Sequence, residues 1–230
     1  MEKAMMEISN NLTKHTNSIN SIKFDINNLV CELLRNKAYM KKTSDRSDPV
    51  SNVLLGIENH LAGNNEEANK CFKAASRAAK DDTRFLNEHE CNLIYAMFLH
   101  CIDDYEAAQI SVNVAQNLPD SYLANFYAGL YTLHGEMLDN FGNLVSELDE
   151  YKERTYDQEY FEEEIVPLME EVEEVAALCE EYFSTAIKLN PDFAPAYFYR
   201  AFILDCQNKK SAADYKKAKE LDEAFSVIIK

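Results

Sequence analysis

The side chains able to hold a metal or act as nucleophiles are sparse in this 230-residue chain and badly spaced for either task. His89, Cys91, His100 and Cys101 fall in one stretch, but along a helix the two histidines stand about 16 Å apart, too far for one tetrahedral ion. The six cysteines, Cys31, Cys71, Cys91, Cys101, Cys179 and Cys206, form no Cys-x-x-Cys pair and mostly occupy apolar helical positions. That is the pattern of buried reduced thiols. There is no Gly-rich phosphate loop, no nucleophile elbow and no His-Glu-x-x-His. Neither a catalytic residue, a metal nor a cofactor is expected. Asn11-Leu12-Thr13 fits a glycosylation sequon, and without a secretion signal it is read as chance.

The abundant chemistry is carboxylate. Forty acidic residues against 23 basic ones give a formal charge of −17. Between Glu147 and Glu181 fifteen acidic residues face only Lys152 and Arg154, a net of −13. Its densest part is Glu162, Glu163, Glu164, Glu170, Glu171, Glu173 and Glu174. A surface of this sign repels phosphate backbones, so nucleic acid is not an expected partner. The run is either a solvated helix face or a docking site for a basic protein segment.

Elements that could position these groups are helical. Five glycines and five prolines are too few to punctuate many short strands, and an all-α fold is expected. No run approaches 18 uninterrupted apolar residues and the N-terminus lacks a signal peptide's apolar middle, so a soluble, cytoplasmic protein without a membrane segment is expected. Met1, Met5, Ile8, Leu12, His15, Ile19, Ile22, Ile26, Leu29 and Leu33 keep a 4-3-4-3 spacing in which His15 alone is polar. Residues 1–45 therefore form an amphipathic heptad segment. It either packs on the rest of the chain or builds a homo-oligomeric coiled coil through residues 1–35; the Asn, Ser and Thr crowding Ser9 to Ser21 disfavours one long rod. Residues 43–49 read as a linker ending in Asp48 as N-cap and Pro49 in the first helical turn.

From Pro49 small residues recur where paired helices must touch. Leu55-Gly56, Gly63, Ala68, Phe72 and Ala75 form one set; Ala96, Asp104-Tyr105, Ala108, Ala115 and Leu118-Pro119 a second; Gly129 opens a third; Tyr197, Ala201, Ser211, Tyr215, Ala218 and Leu221 make a fourth. Ala186/Leu189 and Ala218/Leu221 repeat the same Ala-x-x-Leu step. In these sets the chain resembles the tetratricopeptide repeat family, built of helix-turn-helix units of about 34 residues. The resemblance implies a domain over 49–225, an α-solenoid of about four hairpins near 49–82, 89–121, 122–190 and 194–225. The third carries an acidic helical insertion near 137–170, and its second helix starts near Pro167. Phe225 to Lys230 are too few for a separate capping helix, though Ile228 and Ile229 could extend the last one.

Arrays of this family bind partners along a concave face lined by the first helix of each hairpin. The matching positions here are Val53, Ile57, Leu93, Met97, Phe126, Leu130, Phe198 and Phe202, an apolar strip. Relatives that clamp a C-terminal carboxylate need Lys and Asn where this chain has Val53 and Ile57, and Lys and Arg where it has Leu123 and Tyr127. That activity is not expected. The resemblance implies a non-catalytic protein-protein interaction module, an adaptor, scaffold or assembly factor holding an amphipathic or basic segment, or alternatively a chaperone holding an apolar client segment. A strip this apolar needs covering, either by residues 1–45 or by the partner.

Overall fold

A computed structural model describes residues 49–81, 86–102, 104–153 and 158–228; the heptad segment and Asp48 lie outside them. Among the described residues every regular element is helical and there is no strand. The fold is all-α, of the helical-repeat type. The chain divides into two compact units, whose described parts are 49–119 and 120–228.

The first unit holds α1 (Pro49–Leu61), α2 (Asn65–Asp81), α3 (Glu88–Cys101) and α4 (Glu106–Asn117). They pair as the hairpins α1/α2 and α3/α4, with α2 also packed on α3. Pro49 opens α1, where a missing N–H costs nothing. Gly63 at φ 79° follows the end of α1, a left-handed position that favours glycine. Asn87 caps α3 reciprocally, accepting from the Glu90 N–H while the Glu90 carboxylate accepts from its own N–H, each at 2.9 Å. Where α1 crosses α2, Gly56 lies so close to the Phe72 ring that a Cβ would sit 2.9 Å from it.

The second unit holds α5 (Tyr122–Thr132), α6 (Leu138–Glu153), α7 (Val166–Leu189), α8 (Ala194–Cys206), α9 (Ala212–Leu221) and a terminal turn, α10 (Phe225–Ile228). α5 pairs with α7 rather than with α6, and α8 with α9. Gly129 supplies the α5/α7 crossing, where a Cβ would meet the Phe183 ring at 2.9 Å and Tyr182 Cβ at 3.1 Å. Two wide π-helical turns, Leu133–Met137 and Phe161–Ile165, bracket α6 and its return. Each adds a residue to its turn and so shifts the helical register. Asn208 at φ 55° turns the chain out of α8.

Phe225 does not simply prolong α9. Asp222 ends that helix, α10 is a separate turn, and the Phe225 ring is buried against Phe198 at 5.2 Å between centroids. Burial of one ring is enough to fold back a four-residue turn that sequence length alone argued against.

Cys71, Cys91, Cys179 and Cys206 are buried and Cys101 is exposed; Cys31 lies outside the described residues. Burial pushes the Cys179 and Cys206 thiols up to about 12, and raises the Tyr127 and Tyr199 hydroxyls as well. The charged form is disfavoured in the fold, so these groups contribute stability fully below their unfolded thiol value of 9.0. That contribution is lost as pH climbs towards the folded value. Native thiol labelling at pH 8 is expected to modify Cys101 first, with Cys179 and Cys206 reacting only on unfolding. Urea midpoints should fall steadily above pH 9. Prompt modification of Cys179 in the native protein would contradict its burial.

Candidate functional site

The apolar strip inferred from the repeats sits mainly inside the protein. Val53, Leu93, Met97, Phe126, Leu130, Phe198 and Phe202 are all buried; Ile57 alone is half-buried. Ring contacts show why. Phe126 meets Phe183 of α7, Phe193 at the entry to α8, and Tyr199 of α8, with centroids 5.0 to 5.9 Å apart. Phe198 meets Tyr215 of α9 and Phe225 of α10. These side chains fill the seams within a hairpin and between successive hairpins, and do not form an open wall. The sequence held the signal: Tyr122 to Leu133 contains no charged residue, and neither do Cys91 to Leu99. A helix apolar on every face is an enclosed helix, whereas a groove-lining one is apolar on a stripe. Every residue from Ala124 to Leu133, and from Leu93 to Leu99, is buried.

The carboxylates are placed oppositely. Glu162, Glu163, Glu164, Glu170, Glu171, Glu173 and Glu174 are all exposed. On α7 the buried face is Ala176, Cys179, Phe183 and Ala186, a 3-4-3 spacing, and the four glutamates of its first turns point away from it. Ile165 anchors the preceding π turn, fully buried while its three glutamates face water. Glu162 accepts from the Gln158 amide at 2.9 Å. Among the described residues none of the seven carboxylates has an ion pair.

α6 backs this surface. Its Phe141 and Leu144 are buried, Tyr151 and Phe161 bring their rings to 5.3 Å, and the Tyr160 hydroxyl donates to the Glu147 carboxylate. Together they leave an open cleft of about 410 Å³ lined by Asn143, Ser146, Glu147, Glu163, Glu164, Pro167 and Leu168. Among the described residues its lining carries three carboxylates and no cation. Among the described residues no cluster of three or more His, Cys, Asp and Glu is arranged to hold a metal, and no helix is long and apolar enough to cross a membrane.

On α8 and α9 a second polar group has a different task. Arg200 donates to both oxygens of Asp214 at 2.7 Å and to the Ser184 hydroxyl at 3.2 Å, tying α7, α8 and α9 together. The Asp205 carboxylate accepts from the Tyr215 hydroxyl at 2.9 Å and from Ser211. With Arg200 and Asp214 only 24% and 12% exposed, the pair is a structural clasp with satisfied geometry and no open coordination side.

No family model and no curated protein matches the chain. Among solved structures, two monomeric mutants of IFIT1, one with Gppp-AAAA and one with m7Gppp-AAAA, each superpose with a TM-score of 0.51 at 15% identity over 78% of this chain. The chain spans about a third (33%) of the length of those IFIT1 chains. At that identity the likeness shows the helical-repeat fold alone. A MamA RS-1 ArsTM double mutant is matched over 79% of this chain at 18% identity, with a TM-score of 0.34 that is too low to compare folds.

Proposed function

We propose that the chain is a non-catalytic protein-interaction module whose partner presents a basic segment to the acidic surface of α7 and the turn before it. The observation that supports this reading is the exposure of seven glutamates, three on the π turn and four on α7, none of which has an ion pair among the described residues. Glu170 and Glu174 are four residues apart, while Glu170/Glu173 and Glu171/Glu174 are three apart. Each such like-charge pair costs a helix about 0.2–0.5 kcal/mol. A basic partner relieves that repulsion while gaining attraction of its own. The adaptor or scaffold role belongs to this reading. The alternative, a chaperone holding an apolar client segment along Val53 to Phe202, would first have to uncover side chains that are buried. IFIT1 is known here in structures with capped oligonucleotides; for this chain the charge of −17 weighs against a phosphate ligand.

The test is fluorescence anisotropy with a labelled Lys/Arg-rich peptide. Wild-type protein is expected to bind it with an affinity that falls as salt is raised. Replacing Glu170, Glu171, Glu173 and Glu174 by Gln should weaken binding about tenfold, roughly 1.4 kcal/mol, without lowering stability, since it removes repulsion. Neutralising as many exposed carboxylates elsewhere, Glu58 and Glu223 among them, should have little effect. Equal loss from both sets would show unspecific attraction and overturn the assignment to α7. Preferential binding of Gppp-AAAA over the peptide would overturn the partner class.

A further inference from the structure

Four of the five Lys and Arg residues between Pro49 and Pro119 are Lys70, Lys73, Arg77 and Lys80, all on α2. Their 3-4-3 spacing puts them on one face of that helix, and all four are exposed. The opposite face, Ala68, Cys71, Phe72, Ala75 and Ala79, is buried, so the basic stripe is turned to water. Its contacts within the chain are weak. Lys70 pairs with Glu66 and Glu67, and Lys80 with Glu88, at the surface, where ion pairs contribute little. Lys73 rests over the Tyr95 ring, and Arg77 has no ion pair among the described residues.

α7 carries the complement. Glu170, Glu174 and Glu181 lie within about 40° of one another around its axis, with Glu173 beside them. All four are exposed, and among the described residues none has an ion pair. The two faces match in length, about 15 Å from Lys70 to Lys80 and about 16–17 Å from Glu170 to Glu181. Small residues adjoin both, Ala74 beside the basic face and Ala177 within the acidic one, which lets two helices approach closely. Leu178, 38% exposed, borders the acidic face and gives a contact there an apolar part. The lysines of α9 form no such face: Lys216, Lys217 and Lys219 spread over about 160° of its circumference.

We infer that the basic partner of the α7 surface is a second copy of this chain, which lays the Lys70 to Lys80 face of its α2 against Glu170, Glu173, Glu174 and Glu181. This rests on the acidic-surface reading proposed above and names its occupant. The two faces are different surfaces of one sequence, so the contact is heterologous and is complete only when a second copy supplies the basic half. Copies of net charge −17 repel one another, which sets the condition for the test. At about 0.1 M salt the Debye length is about 10 Å. Repulsion between whole molecules is then screened, while attraction between touching faces persists.

Sedimentation velocity of the full chain at about 0.1 M salt is expected to give a mass that rises with protein concentration, returning to that of one chain at about 1 M. Two charge-reversed chains locate the contact. Lys70→Glu, Lys73→Glu, Arg77→Glu and Lys80→Glu together shift the net charge by eight units to −25; Glu170→Lys, Glu173→Lys, Glu174→Lys and Glu181→Lys together shift it by eight to −9. Each alone should self-associate about tenfold more weakly than wild type, or less still. An equimolar mixture should recover association, because the acidic α7 of one meets the basic α2 of the other. Both remain net negative, so bulk attraction does not explain a recovery. The milder set Lys70→Gln, Lys73→Gln, Arg77→Gln and Lys80→Gln should weaken association in the same direction without reversing a charge. A chain monomeric at every concentration, self-association that survives about 1 M salt or the α2 reversal, or a mixture no more associated than its components overturns the inference. Binding of the Lys/Arg-rich peptide by a chain that stays monomeric would leave the acidic-surface reading standing and remove the second copy alone.

Discussion

Phe126→Ala is expected to lower stability by about 3–5 kcal/mol, the range for deleting a fully buried phenyl ring. The ring is 0% exposed and touches Tyr127, Phe183, Phe193 and Tyr199, so four aromatic neighbours would line the cavity. Rings cannot collapse into such a space as flexible chains do, which puts the cost towards the upper end. Against a total stability of about 5–15 kcal/mol for a domain, the loss should show as a markedly lower urea midpoint by circular dichroism. In a repeat array the loss of helix can begin in the affected unit alone. The same substitution separates the two readings of this position. A residue lining an open groove would change stability by no more than about 0.5 kcal/mol while abolishing partner binding. A Phe126→Ala protein with an unchanged midpoint would therefore return Phe126 to a groove, and the strip with it.

What the sequence revealed and concealed divides along physical lines. Gly56 and Gly129 were legible because a ring of the facing helix pressed against a helix backbone leaves room for the smallest residue alone. The exposure of Glu170 to Glu174 was legible for a similar reason: charges that dense have nowhere to go but water. Phe126 and Phe198 were misplaced because spacing within one helix identifies a face but not what lies across from it. The neighbour that buries Phe126 includes Tyr199, 73 residues away. The π turns at Leu133–Met137 and Phe161–Ile165 leave almost no compositional trace, since one extra residue per turn changes the register without requiring a particular side chain. Phe225 was judged by the length of its segment, whereas its placement follows from the packing of its ring on Phe198.

The three glycines Gly56, Gly129 and Gly142 should respond to alanine with different signs, although all are in helices. In a helix interior Gly→Ala gains about 1 kcal/mol of propensity, and at Gly142, which has nothing within 4 Å of its ideal Cβ, that gain should appear undiminished. At Gly129 the new methyl would stand 2.9 Å from the Phe183 ring and 3.1 Å from Tyr182 Cβ. The latter atom is fixed to the α7 backbone, so relief requires the two helices to separate. Overpacking of this kind costs about 1–3 kcal/mol, and because the Tyr182 Cβ cannot move aside the cost falls towards the upper end, outweighs the gain of about 1 kcal/mol and leaves Gly129→Ala destabilised by up to about 2 kcal/mol. At Gly56 all three close atoms belong to the Phe72 ring, a side chain that can rotate within its packing, so Gly56→Ala should fall between the other two. Urea titrations of the three variants are expected to rank Gly142→Ala above wild type, Gly56→Ala near or below it, and Gly129→Ala lowest. If Gly129→Ala matched or exceeded wild type, α5 and α7 would not be in contact at that crossing, and the pairing that skips α6 would be wrong.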